Sequence, residues 1–216
     1  GSVATQDWAN PQPVRHEPDP ATGYLLAFSG TIFSHNQLDA LVMVAEAAAQ
    51  LTREGLPCRL EIRTPAMSIA HYGERLRALG VTVAQAAGRK DELALLHRAH
   101  LLLIPVNFDE ESGRFIKYSL PFKTSAYLAT GTPVMVIAPA DYPPARHLRE
   151  HDCGFVHSTP TVSSLAAALR PALTDRLARE HFSQIALRVA HDLHERDQVT
   201  ADFQQTLRQL ARPRAH

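Results

Sequence analysis

Short apolar runs alternate with longer amphipathic segments from Tyr24 to Val156, and this alternation limits what the chain can fold into. Several runs are nearly continuous in valine, isoleucine and leucine, as expected for strands buried on both faces of a parallel sheet. Strands that alternate with helical segments are typical of an α/β domain, so we predict a parallel sheet of about six strands flanked by helices. The predicted strands are residues 24–28, 58–62, 81–84, 101–105, 133–137 and 154–156.

Helices are predicted in the segments between these strands. After the first strand, apolar residues recur at helical spacing over residues 38–48, and Ser34 with Gln37 matches a capping box. This helix is therefore predicted to start near Asn36 and to end before Gly55. Further helices are predicted at about residues 69–79, 91–99, 122–130, 144–151 and 162–169, and the chain is wholly helical in pattern after Pro171.

The ends of the chain differ from its centre. Residues 1–22 contain four prolines and little apolar periodicity, and the opening Gly1-Ser2 resembles a vector-derived remnant. We predict a poorly ordered linker over residues 1–22, a Rossmann-like domain over residues 23–172 and helices packed on it over residues 173–216. The linker suggests that the chain belongs to a longer protein.

Charge and hydropathy exclude several functions. The chain has 22 Lys and Arg residues against 22 Asp and Glu residues, so its net charge gives no reason to expect nucleic-acid binding. No stretch approaches the roughly 18 to 20 consecutive apolar residues of a membrane span, and no signal peptide is evident. We expect a cytoplasmic protein, with any peripheral membrane association made through a part outside this chain.

Cysteine and histidine spacing gives no metal site. Cys58 and Cys153 lie in short apolar runs and are predicted to be buried, reduced thiols. Histidine pairs three or four residues apart occur at 97 and 100, 147 and 151, and 191 and 194. No cysteine or carboxylate completes a zinc pattern and no HExxH motif is present, so we expect neither a metal nor another cofactor.

Two loops that follow predicted strands are candidates for a binding site, because ligands of open α/β sheets bind at the carboxyl ends of the strands. In residues 29–34 (SGTIFS), Gly30 lets backbone approach a ligand; the alternative is an ordinary tight turn. The later glycines of a Rossmann fingerprint and the Gly-Lys-Ser/Thr of a P-loop are missing. Residues 106–118 form a long predicted loop with Glu110 and Glu111, which is either functional or simply solvated and mobile.

A third segment has the strongest binding features. In residues 119–136, Pro121 favours the first turn of a short helix and Gly131 favours its left-handed exit. The helix start presents unpaired N–H groups, the Ser119 hydroxyl and the Lys123 ammonium at the ligand-binding edge. These features predict an anion site, most economically for phosphate; the alternative for Lys123 is a surface lysine.

Three separated segments resemble the C-terminal, nucleotide-sugar-binding domain of GT-B glycosyltransferases of the group 1-like, mostly retaining branch. Residues 119–136 (SLPFKTSAYLATGTPVMV) resemble its Ser-x-Pro-x-Lys-x-x-Glu-Tyr-x-Ala-x-Gly-x-Pro-Val segment. Residues 26–32 (LAFSGTI) and 38–41 (LDAL) are similar to its first strand and glycine loop. Residues 88–93 (GRKDEL) and 101–105 (LLLIP) resemble its Glu-Leu helix and the next strand, in the right order.

The resemblance implies a domain that holds a nucleoside diphosphate sugar for transfer to an acceptor hydroxyl in glycan or polysaccharide assembly. A separate N-terminal domain would bind the acceptor, so this chain alone should not catalyse glycosyl transfer. Retention of the anomeric configuration is implied, although inversion stays open, and the resemblance identifies no catalytic residue. The resemblance implies that Gly30 and Thr31 lie beside the sugar diphosphate and that Ser119, Leu120 and Lys123 contact the phosphates. It implies that Glu110 or Glu111 contacts the sugar. Residues 85–89 would contact the nucleobase, in particular Ala87, Gly88 and Arg89.

The sequence departs from the family at two places. Ala126 stands where the family has the glutamate that commonly holds the ribose hydroxyls. The usual Arg and Lys after the glycine loop are absent, with Thr31, His35 and Asn36 in that neighbourhood. Two alternatives therefore stay open: a nucleotide-sugar epimerase of the same architecture, which would need a second set of carboxylates, and a binding or assembly module that has lost its catalytic groups.

Overall fold

A computed structural model of the protein describes residues 2–10, 12 and 14–210. In this part of the chain, six parallel strands form one sheet in the order β3-β2-β1-β4-β5-β6. The strands are β1 (Tyr24–Ser29), β2 (Cys58–Arg63), β3 (Thr82–Ala84), β4 (Leu101–Pro105), β5 (Val134–Ile137) and β6 (Phe155–His157). The predicted Rossmann-like parallel sheet is confirmed, and each predicted strand end lies within one residue of the observed end.

Helices connect the strands and continue beyond the sheet. They are α1 (Asp39–Arg53), α2 (Ala66–Ala78), α3 (Arg89–Arg98), α4 (Glu110–Ile116), α5 (Phe122–Thr130), α6 (Pro143–Glu150), α7 (Val162–Thr174), α8 (Arg176–His194) and α9 (Arg196–Leu210). Among the described residues, no helix is both long enough and apolar enough to span a bilayer.

The two faces of the sheet bury two separate apolar cores, as the both-face burial of its strands requires. In β1, Leu26 and Phe28 face the core shared with α1 and α7, whereas Leu25 and Ala27 face the core shared with α3, α5 and α8. This is the alternation of side chains that a strand imposes. All residues of β1 and β4 are buried, so these neighbouring strands form the rigid centre that carries the loops described below.

Three local predictions are wrong. Ser34 makes no capping bond: a π-helical turn, Ser34–Leu38, precedes α1, and its N-cap residue is Phe33, whose N–H donates to Gln37 Oε1 at 3.0 Å. The predicted loop over residues 106–118 contains α4, which Asp109 caps by accepting the Ser112 N–H at 2.8 Å. The predicted helix 162–169 continues through Pro171 to the end of α7.

Packing explains the extension of α7. Leu169, Ala172 and Leu173 are fully buried in the core that α7 shares with α1, so apolar contacts continue on both sides of Pro171. Burial of this size, about 1.5–3 kcal/mol for a large apolar side chain, can offset the hydrogen bond that a proline removes.

The N-terminal segment contacts α8 and the residue after it. Val3 is buried, its N–H donates to the His194 carbonyl at 2.9 Å, and its carbonyl accepts the Arg196 N–H at 2.9 Å. Trp8 packs partly against the core behind α5. The proposed division into residues 1–22, 23–172 and 173–216 stays a prediction.

The two cysteines are free thiols. Cys153 is buried and Cys58 is half-buried, and in both cases burial raises the thiol pKa to about 12. A thiol with so high a pKa is unreactive at neutral pH.

Candidate functional site

A cleft of about 310 Å³ lies at the carboxyl ends of β1, β2 and β3. It extends to the end of β1, and the strand order reverses between β1 and β4. Open α/β sheets bind ligands at the carboxyl ends of their strands near such a reversal. Its lining comes from the ends of three strands and from α3. The lining residues are Ser29, Gly30, Thr31, Arg63, Thr64, Pro65, Gln85, Ala86 and Glu92.

Gly30 brings the end of β1 close to α5. Its φ of 144° is a conformation that side chains disfavour, and a Cβ on this residue would lie 2.7 Å from the Lys123 Nζ. The Gly30 N–H donates to the Arg63 carbonyl at 2.9 Å, which fixes the turn against the end of β2. A side chain at this position would be strained by the backbone conformation and would displace the Lys123 ammonium.

Lys123 lies in the first turn of α5, with its ammonium on this corner. The Nζ is 3.9 Å from the centroid of the Phe28 ring and adjacent to Gly30, and the side chain is half-buried. Burial lowers the Lys123 pKa to about 7, while the negative charge of Glu92 acts in the opposite direction. A cation held at the positive end of a helix dipole is electrostatically unfavourable until an anion joins it.

Tyr127 ties α5 to the end of β1. Its hydroxyl accepts the Ser29 N–H at 2.7 Å and donates to the Ser29 carbonyl at 3.1 Å, inside the protein core. Burial raises the Tyr127 pKa above its ordinary value, so the hydroxyl stays protonated and can donate. The sequence offered only an indirect signal for this bond, which was a tyrosine within the apolar run at residues 126–129 (AYLA).

Among the described residues that line the cleft, Glu92 supplies the only carboxylate. Its Oε1 accepts the Ser29 hydroxyl at 2.6 Å, which orients the carboxylate beside Gly30. Sequence reasoning included Glu92 in the segment that resembles the family's Glu-Leu helix but did not assign it to the site. The available signal was its position in the first turn of the helix that follows β3, at the same edge of the sheet as Gly30.

Arg63 belongs to an ion-pair network beneath the cleft. Its guanidinium lies 2.7 Å from buried Glu61 and 3.2 Å from Asp91. Asp91 also accepts the Ala87 N–H at 3.1 Å, and this bond, followed by Arg63, lowers the Asp91 pKa. The network therefore commits the positive charge of Arg63 to carboxylates and fixes the loop between β3 and α3 at the edge of the cleft.

The predicted phosphate-binding and sugar-binding residues other than Gly30 and Lys123 are exposed or half-buried. Thr31 is exposed and lines the cleft. Ser119 is exposed, with its N–H bonded to the Ile116 carbonyl at 2.9 Å, and Leu120 is half-buried before α5. Glu110 and Glu111 are exposed in the first turn of α4.

The predicted nucleobase residues border α3. Gly88 has a φ of 125° and is the N-cap residue of α3, directly after Ala87. Arg89 turns toward the N-terminal segment, where its guanidinium stacks 4.8 Å from the Trp8 ring centroid and lies 3.5 Å from Asp7. Gln85 and Ala86 line the cleft itself. The roles of the predicted site residues stay predictions.

Ala126 is buried in the core on the α5 side of the sheet, with 2% of its surface exposed. Its methyl group packs among apolar side chains and offers no polar atom to the cleft. Any carboxylate in the cleft must therefore come from another element.

The histidine pairs show no metal-binding arrangement. Within the described ranges, no group of three or more His, Cys, Asp and Glu residues could hold a metal ion. His147 Nε2 lies 3.1 Å from His194 Nε2, and burial, followed by the neighbouring His194, lowers the His147 pKa to about 4.

Comparisons with known proteins identify the fold. No family model matches the sequence, and no curated protein matches it significantly. The C-terminal domain of a group 1 family glycosyl transferase, LpcC, from Francisella tularensis matches with a TM-score of 0.64 at 12% identity, covering 90% of this chain and 99% of that one.

Two longer proteins match as well. Sucrose-phosphate synthase from Thermosynechococcus elongatus has a TM-score of 0.69 at 14% identity, covering 97% of this chain and 51% of that one. Anabaena HepE, in a complex with UDP and glucose, has a TM-score of 0.64 at 14% identity, covering 95% of this chain and 55% of that one. This chain thus spans about half the length of both, and its fold is that of the C-terminal domain of GT-B glycosyltransferases.

Proposed function

We propose that this chain is the donor-binding half of a glycosyltransferase and holds a nucleoside diphosphate sugar in the cleft at the ends of β1, β2 and β3. The observation that carries the proposal is the approach of Lys123 to Gly30, which places a cation, a helix N-terminus and accessible backbone at one corner. The likeness to HepE, whose structure contains UDP and glucose, agrees with this assignment.

The chemistry of glycosyl transfer suits this corner. As the bond between the anomeric carbon and the diphosphate oxygen breaks, negative charge accumulates on the departing nucleoside diphosphate. A fixed ammonium at Lys123 and the N–H groups at the start of α5 would stabilise that charge without reorganising. The protein itself would thus supply the positive charge, and no metal is needed in this scheme.

The acceptor hydroxyl and the group that activates it would come from an N-terminal domain beyond this chain. Large apolar side chains are exposed near the carboxyl edge of the sheet, on the elements that follow β1, β2 and β4: Phe33, Met67, Phe115, Tyr118 and Phe122. Exposed apolar groups of this kind are typical of a surface that another domain covers. We expect this edge to face the acceptor-binding domain.

The alternatives are less well supported. An epimerase of the same architecture would need a second carboxylate, and Glu92 alone supplies one among the cleft-lining residues. A module that has lost its catalytic groups would keep nucleotide binding but show no transfer in the full-length protein. That module has Ala126 in its favour, whereas the retained Lys123 and Gly30 corner favours an active donor site.

Titration calorimetry with UDP, GDP, ADP and dTDP tests the proposal directly. We expect one of these diphosphates to bind and the matching nucleoside without phosphate to bind far more weakly, because the diphosphate makes the charge-assisted contacts. An absence of binding for all four at millimolar concentration would contradict the donor-site assignment.

We also expect diphosphate affinity to fall as the pH rises above neutrality. Lys123 loses its proton through a pKa of about 7 in the free protein, and an anion prefers the protonated form. Ionisation of the terminal phosphate, with a pKa of about 6, is nearly complete above pH 7 and does not reverse this trend. Calorimetry at about pH 6.5, 7.5 and 8.5 should show a loss that approaches tenfold per pH unit, whereas Lys123→Met should show an almost flat profile.

A further inference from the structure

We propose that Glu92 binds the vicinal hydroxyls of the nucleotide ribose and so makes the site selective for ribonucleotides over deoxyribonucleotides. This inference rests on the proposed function, because it assigns one side chain of the same cleft to one part of the donor.

One oxygen of the Glu92 carboxylate accepts a hydrogen bond that orients the group, and the other oxygen accepts none within the described part of the chain. Its Oε1 accepts the Ser29 hydroxyl at 2.6 Å. Among the described residues, no other side chain donates a hydrogen bond to this carboxylate, and no arginine, lysine or histidine nitrogen lies within 4.0 Å of it. The Oε2 atom and the remaining lone pairs are therefore available on a surface that lines the cleft.

The available carboxylate oxygens of Glu92 require a ligand that donates hydrogen bonds. An ionised carboxylate only accepts hydrogen bonds, so it would repel a diphosphate and attract O–H or N–H groups. A ribose presents two adjacent hydroxyl donors, and these match the two oxygens of one carboxylate. In Rossmann folds that bind dinucleotides, an acidic side chain makes the same kind of contact with the ribose.

Position favours the ribose over the nucleobase. Glu92 is bonded to Ser29, which directly precedes Gly30, and the Lys123 ammonium lies at Gly30. A diphosphate held at Gly30 and Lys123 is followed along the ligand by the ribose, and the base lies one unit further away. Gln85 and Ala86, which follow β3, also line the cleft.

The test compares ribose and deoxyribose ligands on two proteins. The probe is whichever of UDP, GDP and ADP binds the 216-residue chain most tightly, together with its 2′-deoxy analogue and inorganic pyrophosphate. We expect the unmodified chain to bind the ribonucleotide about tenfold more tightly than the deoxy analogue, as for a hydrogen bond to a charged group. In Glu92→Gln this preference should nearly disappear, while the variant still binds pyrophosphate.

Retained pyrophosphate binding separates a local change at the ribose from misfolding, because an unfolded variant would bind neither ligand. Glu74→Gln, an exposed glutamate on α2, is the matched control and should keep the ribose preference. A second variant, Ser29→Ala, removes the hydroxyl that orients Glu92 and should reduce the preference by a smaller factor.

Three results would contradict one proposal or the other. If Glu92→Gln keeps the full ribose preference, the ribose assignment is wrong while the donor site stands. If the ribonucleotide and the deoxy analogue bind the unmodified chain equally, the ribose assignment is also wrong. If none of UDP, GDP, ADP and dTDP binds, the proposed function itself fails.

Discussion

Replacement of Lys123 with methionine is expected to weaken nucleoside diphosphate binding by roughly ten- to a hundredfold, or about 1.5–3 kcal/mol. This is the range for loss of a hydrogen bond to a charged partner. The ammonium lies at the corner formed by Gly30 and the start of α5, where the diphosphate would sit. Calorimetry near pH 6.5, where the ammonium is mostly protonated, gives the largest difference.

The same variant should be more stable than the unmodified protein. In the unfolded chain Lys123 has a pKa near 10.5, against about 7 in the folded protein. The folded state therefore holds its proton more weakly, and the cost of burying the charge is fully present below pH 7 and disappears as the pH rises toward 10.5. Methionine removes this cost and keeps the packing on Phe28, so the melting temperature should rise while affinity falls.

Lys117→Met is the matched control, because Lys117 is an exposed lysine after α4 and does not line the cleft. It removes the same net charge and should change the affinity little at about 0.15 M salt. Equal losses in both variants would mean that long-range charge, and not a contact at Gly30, accounts for the binding. Unchanged affinity in Lys123→Met would remove this lysine from the site.

The sheet could be predicted from the sequence because its strands are buried on both faces. β4 and β5 read as uninterrupted apolar runs, and few other structures bury such short runs between polar segments. The limits of α5 were predictable because Pro121 and Gly131 have conformations that fix the ends of a helix. In both cases the controlling interactions are local in the sequence.

Elements that depend on distant contacts were not predictable. The helix α4 has almost no apolar periodicity, since Phe115 is exposed and only Ile116 of its apolar side chains is buried. Ser112 on this helix donates to the His35 carbonyl at 2.6 Å, a contact across 77 positions of the chain. The sequence around Ser112 gives no indication of that hydrogen bond.

The candidate site was predictable to the same extent. Gly30 and Lys123 were found because ligands bind after strands and at helix starts, and the structure brings the two together. Glu92 was missed because its relation to Ser29 spans 63 positions and forms only when α3 packs beside β1. The sequence thus predicts where phosphate could bind, and the tertiary contacts add the carboxylate.

Substitution of Tyr127 with phenylalanine is expected to lower the free energy of unfolding by about 2–3 kcal/mol. The hydroxyl is bonded to both the N–H and the carbonyl of Ser29, and both residues are buried. Phenylalanine keeps the ring but leaves a backbone donor without this partner and without access to water, which is the costly half of a lost hydrogen bond. For a chain of this size, such a loss corresponds to a decrease in melting temperature of roughly 5–10 °C.

The second consequence of Tyr127→Phe concerns the cleft. Ser29 holds Glu92 through its side chain and precedes Gly30, so a looser Ser29 backbone should weaken nucleotide binding as well as stability. Tyr72→Phe provides the control, because the half-buried Tyr72 hydroxyl has no hydrogen bond within the described part of the chain. Urea denaturation should give Tyr72→Phe a change within about 0.5 kcal/mol. A comparably small change in Tyr127→Phe would show that the two bonds to Ser29 do not hold α5 to β1, and the rigid corner on which diphosphate binding depends would then need another support.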